Sequence, residues 1–190
     1  EKVKLQSITS FNKVDRSSLG DLDFLEIDLF TQREVSTSKI FNQEFRVSNI
    51  NISRFDWSAG GFYQFIDKDI FSDGTVEGEP YTITDGKYET QTMAIFGFAD
   101  YLLTDKLTLS AGFRADFDKF NQEDYLFETS PSRNNNEFQP KLSLSYQASD
   151  KVLLYANYGW GYRTGGFNPQ VTSLFNREIK PMPMSKLCQL

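Results

Sequence analysis

The chain has 190 residues with 20 Lys and Arg against 26 Asp and Glu, a formal net charge of −6, no histidine and a single cysteine, Cys188. That balance argues against a nucleic-acid backbone as partner, removes a His/Cys zinc site and any Ser-His or Cys-His nucleophile, and rules out an internal disulfide framework. Charged residues make up 24% and no run of about 18 apolar residues exists, so a transmembrane helix is excluded; a membrane β-barrel is not, because only every second residue of its strands meets lipid and a mean hydropathy of −0.47 hides the pattern.

The first segment, Val3 to Phe11, is a weakly patterned strand whose small polar residues leave its faces open. A long polar stretch, Asn12 to Ser38, follows. It holds Asp21, Asp23 and Asp28, whose oxygens suit a hard cation such as Ca²⁺. The spacing lacks the Gly and distal Glu of an EF-hand loop, and a solvated acidic loop is the preferred reading. Lys39 to Ile50 alternates, with Phe41, Phe45 and Val47 on one face, Gln43 a polar exception, and Asn42, Glu44, Arg46 and Ser48 on the other. Asn51 to Ser53 reads as a tight turn. Arg54 to Asp67 groups Phe55, Trp57, Ala59, Gly61, Tyr63 and Phe65 against Asp56, Ser58, Gly60, Phe62 and Gln64.

The second long polar stretch is Lys68 to Lys87. Tyr88 to Leu103 is a strand by composition, but both faces hold apolar residues and its orientation stays open. After a tight turn at Thr104-Asp105, Lys106 to Lys119 sets Leu107, Leu109, Ala111, Phe113, Ala115 and Phe117 against Thr108, Ser110, Gly112, Arg114, Asp116 and Asp118. The third long stretch, Phe120 to Asn136, leads to Glu137–Ser149, with Phe138, Leu142, Leu144 and Tyr146 on one face. A tight turn at Ser149-Asp150 precedes Val152 to Pro169, whose apolar row Val152, Leu154, Ala156, Tyr158, Trp160 and Tyr162 ends in amphipathic rings. Such a row suits a strand facing lipid with rings at the interface.

Seven strands thus alternate between short turns and long loops, the segregation of an outer-membrane barrel with periplasmic turns and extracellular loops. The expected fold class is all-β: an antiparallel transmembrane β-barrel segment of about seven up-and-down strands, an open piece of a larger barrel. The expected lipid face is Phe55, Trp57, Leu107, Leu109, Phe113, Leu142, Leu144, Leu154, Tyr158 and Trp160. Residues 1–175 are expected to form the partial barrel. From Asn176 the alternation collapses, and 176–190 reads as an irregular tail, truncated or out of frame. The start at Glu1, without Met or signal sequence, suits an exported mature protein or a fragment alike.

Several pieces in this order resemble the β-barrel of TonB-dependent outer-membrane receptors, from about Leu5 to Pro169. They are Ser7–Phe11 with the acidic pair Asp21 and Asp23, Asn42–Ser48 as the family's "QE-x-R" strand, and Phe55–Tyr63. They continue with the hairpin Ala94–Tyr101 and Leu109–Arg114, then Tyr155–Asn168 with its Gly161-Tyr162-Arg163-Thr164-Gly165-Gly166-Phe167-Asn168 ending. The resemblance implies a 22-stranded barrel around an N-terminal plug, in the outer membrane of a Gram-negative bacterium. It implies uptake of a scarce large solute, most often a ferric siderophore, with outer-membrane lipid and the TonB complex as partners. No plug is recognisable here, so the chain alone is not expected to transport. The alternatives kept open are a porin-like or structural barrel wall and a soluble β-sandwich binding module.

Glu44, Arg46, Arg114, Asp116 and Asp118 face the expected lumen. Wall charges that pair with a plug are preferred there over substrate contacts. Nothing positions two carboxylates as a glycosidase would need, and no enzyme, cofactor, metal or catalytic residue is expected. Gly165-Gly166 is not a phosphate loop, since no Lys-Ser/Thr follows; a φ > 0 turn is the plain reading. Phe71, Tyr81, Tyr125 and Phe127 in the outer loops suit either contact with an aromatic ligand or loop self-packing.

Overall fold

The computed structural model describes residues 2–21, 30–50, 54–163, 166–167, 178–179 and 182–184. Among them there is no helix. Seven strands form one sheet in sequence order: β1 (Val3–Asp21), β2 (Phe30–Asn49), β3 (Phe55–Val76), β4 (Glu79–Thr104), β5 (Leu107–Asp124), β6 (Ser132–Ser149) and β7 (Val152–Gly159). Every neighbouring pair is antiparallel, as short connections between adjacent strands require. The sheet stands as an unclosed arc of seven strands, as the alternation predicts.

Strand length departs from expectation. β1 to β6 run for 18 to 26 residues. The polar stretches 12–38, 68–87 and 120–136 are therefore not long loops over most of their length. Backbone pairing continues through them because a two-stranded ladder satisfies its own amides, whatever the polarity of the side chains. The β3–β4 hairpin closes on Glu77 and Gly78 alone, at φ 52° and 85°, the two positive values that a two-residue type I′ turn demands. The β5–β6 connection shortens to 125–131. There Asp124 Oδ1 accepts the backbone N–H groups of Leu126 and Phe127, each at 3.1 Å. The tight turn at 51–53 lies outside the described residues, as do Asp23 and Asp28; Asp21 ends β1 opposite Thr31.

No conventional core exists. Ala94, 3% exposed, is the one buried hydrophobic residue among the described residues, and the large apolar side chains are mostly exposed or half-buried on a single layer. Beyond β7 come four short strands, β8 (Gly161–Arg163), β9 (Gly166–Phe167), β10 (Glu178–Ile179) and β11 (Met182–Met184). β11 pairs with β8 and β10 with β9, both antiparallel. Part of the stretch read as an irregular tail is thus paired backbone. Gly166 lies in β9 opposite Ile179 rather than in a turn, while Gly165 falls outside the described residues.

Candidate functional site

The register carries one apolar face across all seven strands. One row runs Leu5, Val47, Ala59, Gly97, Phe113, Pro140; the next runs Ser7, Phe45, Gly61, Ile95, Ala115, Phe138. This settles the two orientations left open by the alternation. Leu5 and Phe11 of β1, and Met93, Ile95, Ala99 and Tyr101 of β4, share the face of Phe55 and Phe113. Phe55, Phe113, Leu142, Leu144, Leu154 and Tyr158 are exposed there, and Trp57, Leu107 and Leu109 are half-covered.

The length of this apolar band decides what it can do. It runs eleven residues on β3, from Phe55 to Phe65, and eleven on β5, from Leu107 to Phe117. On both, the next residue on that face is charged, Asp67 and Lys119. A tilted strand needs about 9–11 residues to cross the hydrocarbon of a bilayer. Aromatic rings bound the band at both ends. At the turn end Phe55 and Tyr101 meet edge to face at 6.4 Å, and Tyr146 of β6 stands at the same end of the sheet, opposite Leu107; at the hairpin end Phe41 lies 6.3 Å from Tyr63, beside Phe11 and Phe65. Past the rings Lys87 reaches Asp67 at 3.2 Å and Glu89 at 2.9 Å, and these two carboxylates hold its ammonium pKa above the ordinary lysine value.

The opposite face is polar and tied together. Arg46 pairs with Glu44 at 2.7 Å and stacks on Phe96 at 5.5 Å. Arg114 stacks on Phe62 at 5.3 Å and grips Asp116 through Nε at 2.9 Å and Nη2 at 2.7 Å. Gln139 donates to the same carboxylate at 2.6 Å, and Thr92 donates to Asp118 at 2.6 Å. Asp116 and Asp118 are each 5% exposed, and these donors offset the cost of covering them. The face therefore carries the five expected residues in separate groups: Glu44 with Arg46 on β2, Arg114 with Asp116 on β5, and Asp118 held by Thr92 of β4. Its chemistry is that of a fixed polar wall: among the described residues no three His, Cys, Asp or Glu gather to hold a metal.

Glycine makes the two faces possible at close quarters. A Cβ on Gly97 would fall 2.8 Å from the Phe113 ring, and one on Gly60 would meet Phe96 at 2.5 Å and the backbone oxygen of Phe45. The rings lie flat over bare backbone, a packing any larger residue would break.

Trp160 is a correction to the sequence reading. Alternation places it on the apolar face, but its indole Nε1 donates to Glu137 Oε1 at 2.9 Å, and Tyr162 OH donates to Asp118 at 3.4 Å. Both rings point to the polar face. The cause is Pro140. Trp160 N–H donates to the Pro140 carbonyl at 3.0 Å, and the proline, lacking an N–H, cannot return the bond. Ladder pairing ends at Lys141 opposite Gly159, and the strand reverses its faces there. A proline in the partner strand was the available signal. Of the outer-hairpin aromatics, Tyr125 and Phe127 lie together at the 125–131 turn, whereas Phe71 and Tyr81 lie in the β3–β4 hairpin.

A family model described as TonB dependent receptor-like, beta-barrel, matches residues 4–182, which passes the boundary expected at 175. Among solved structures, the chain resembles the ferric yersiniabactin uptake receptor FyuA from Yersinia pestis. The TM-score is 0.77 at 18% identity, over 95% of this chain and 29% of that one. It also resembles the ferric citrate transporter FecA in its unliganded form, with a TM-score of 0.69 at 18% identity, over 85% of this chain and 25% of that one. The chain thus spans less than a third of the length of either structure.

Proposed function

The chain belongs to the TonB-dependent receptor β-barrel family, and on that premise we propose that it is one arc of the wall of an outer-membrane receptor that imports a scarce, large solute of the iron-chelate kind. The observation that carries this is the apolar band. Its length of eleven residues on β3 and β5, its two aromatic rims and its charged border match what one crossing of a bilayer requires of a tilted strand. A sheet buried in a soluble protein has no need of amphipathic rings at both ends of its apolar face.

The polar face then looks into the lumen, with Glu44, Arg46, Arg114, Asp116 and Asp118 as wall charges against a plug. The hairpins β1–β2, β3–β4 and β5–β6 project outside the cell, and the β2–β3, β4–β5 and β6–β7 connections at the opposite end face the periplasm. A Gram-negative outer membrane is the location this implies, with the TonB complex as the energy-coupling partner. Both relatives named above are called an uptake receptor or a transporter of a ferric chelate, which supports the solute class.

The test is uptake of radioactive iron from a panel of ferric chelates, in iron-starved cells producing the complete barrel that carries this chain, with and without TonB. Saturable uptake that needs TonB is the expected result. Uptake that is unsaturable and indifferent to TonB would mark a porin-like wall instead.

A further inference from the structure

One part of the outer face is not the smooth apolar wall that lipid alone requires. On β1 to β3 a trough of about 520 Å³ opens there, floored by Ala59 and Gly61 and walled by Leu5, Ser7, Phe45 and Val47. Phe45 projects beside it, 62% exposed. The fold does not require the floor to be bare. A Cβ on Gly61 would meet nothing nearer than the Ala94 carbonyl oxygen at 3.8 Å, an ordinary contact, whereas one on Gly60 would collide with Phe96.

Next to the trough the apolar band is interrupted. Gln43, two residues from Phe45, is on the same face and is the polar exception in the alternation of β2. Its amide accepts from Thr9 Oγ1 at 2.6 Å and donates to Ser7 Oγ at 2.9 Å. Its register partner Tyr63 is three residues from Gly60, the middle of the band from Phe55 to Phe65, or about 7 Å from the midplane. Ser7 and Thr9 are exposed. A lipid tail would fill the trough and leave these polar groups against hydrocarbon, which disfavours them. Packed transmembrane segments, by contrast, use small residues for close approach and Ser, Thr and Gln side chains for hydrogen bonds across the contact.

Symmetry says which protein fits. Two copies in one membrane share its orientation, so a twofold axis relating them runs along the bilayer normal, and each residue meets the other copy at its own depth. Phe45 of β2 and Gly61 of β3 are register partners on strands about 4.8 Å apart and tilted about 45°, so they differ by about 3 Å in depth. An axis passing between β2 and β3 therefore lays the Phe45 ring of each copy into the trough of the other, over Gly61. The Gln43 amide, a donor and an acceptor at once, suits a surface that faces its own copy.

We propose that the outer face of β1 to β3 is a twofold contact between two copies of the complete barrel within the membrane. Phe45 is the knob, the Ala59 and Gly61 trough is the hole, and the Ser7, Thr9 and Gln43 cluster is covered by the partner. This rests on the membrane wall proposed above and adds an assembly to it. The experiment uses the complete barrel in outer-membrane vesicles, with its native cysteines, Cys188 included, replaced by serine. Val47→Cys, at the trough, and Ala111→Cys, on the same face of β5, are each treated with a short membrane-permeant bismaleimide. Val47→Cys is expected to give a crosslinked dimer and Ala111→Cys the monomer alone.

Gly61→Leu fills the trough where the fold has room, and Phe45→Ala removes the knob. In the Val47→Cys background each is expected to cut the dimer about fivefold, the loss of one anchor, with heat-modifiable gel mobility showing that the variants fold. Equal crosslinking at the two positions, a dimer that survives Gly61→Leu, a product with a protein of another mass, or monomers alone overturns the proposal; monomers alone would leave lipid as the occupant of the trough. TonB-dependent uptake of a chelate by the same cells would then show that the uptake function stands without the contact.

Discussion

Ala111→Arg tests the outer face most cleanly, because alanine contributes little packing that its replacement could lose. Ala111 is exposed, opposes Ala99 and Leu142, and is one residue from Gly112, the middle of the apolar band Leu107 to Phe117. Eleven residues at about 3.4 Å each, tilted about 45°, span about 26 Å, which agrees with an outward apolar band about 25 Å tall. One residue is then about 2 Å of depth, so Ala111 lies near the midplane. An arginine there should cost about 2–4 kcal/mol. Leu107 is about 12 Å from the middle, and Leu107→Arg should cost about 0–1 kcal/mol from its depth. Ser110→Arg points to the other face, beside the Asp100 carboxylate to which Ser110 donates, and should change stability by less than about 1 kcal/mol. The assay is equilibrium folding of the complete barrel into lipid vesicles, titrated with denaturant. Equal penalties for Ala111→Arg and Ser110→Arg would refute the assignment of faces; equal penalties for Ala111→Arg and Leu107→Arg would refute the depth.

Brominated lipids should quench Trp57 in a Trp160→Phe variant and leave Trp160 bright in a Trp57→Phe variant, since only Trp57 is on the lipid face; quenching of both would return Trp160 to that face. Gly60→Ala should destabilise by about 1–3 kcal/mol, because its Cβ lands on the Phe96 ring and the Phe45 carbonyl, and Phe96→Leu in the same chain should recover part of the loss in the same titration. Arg33 holds Asp73 through two bonds of 2.9 and 2.7 Å, and this hydrogen bonding sets the Asp73 pKa below its ordinary value. A lowered folded pKa means the stabilisation is present above the unfolded value of about 4 and is lost as pH falls through the folded one. Amide protection, taken relative to intrinsic exchange, should therefore fall in that acidic range at the Arg33–Asp73 end of the β2–β3 ladder, and Arg33→Ala should abolish the step; an unchanged step would place its origin elsewhere.

Period-two alternation was enough to give the all-β class, the seven strands and most of the outer face, because a strand with unlike faces must write its orientation into every second residue. Leu107 to Phe117 did so without ambiguity. The absence of histidine and the lone cysteine bounded the chemistry equally directly. Alternation could not orient β4, where Phe96 and Phe98 lie on the polar face. Those rings cover Gly60 and Gly112 on neighbouring strands, and only the register brings such partners together. Nor could it find the true ends of the strands. The polar hairpins contain no apolar period, and their extension depends on ladder pairing with a neighbour distant in sequence. The reversal at Trp160 is the sharpest case. It is caused by a hydrogen bond that Pro140 cannot make, twenty residues earlier and on another strand, so no local pattern around the tryptophan could encode it. The cover over Gln122 likewise exists only because a turn capped by Asp124 folds back on β4. Side-chain period is a property of one strand, whereas register, ladder breaks and enclosed space are properties of pairs of strands, and the tertiary structure alone decides them.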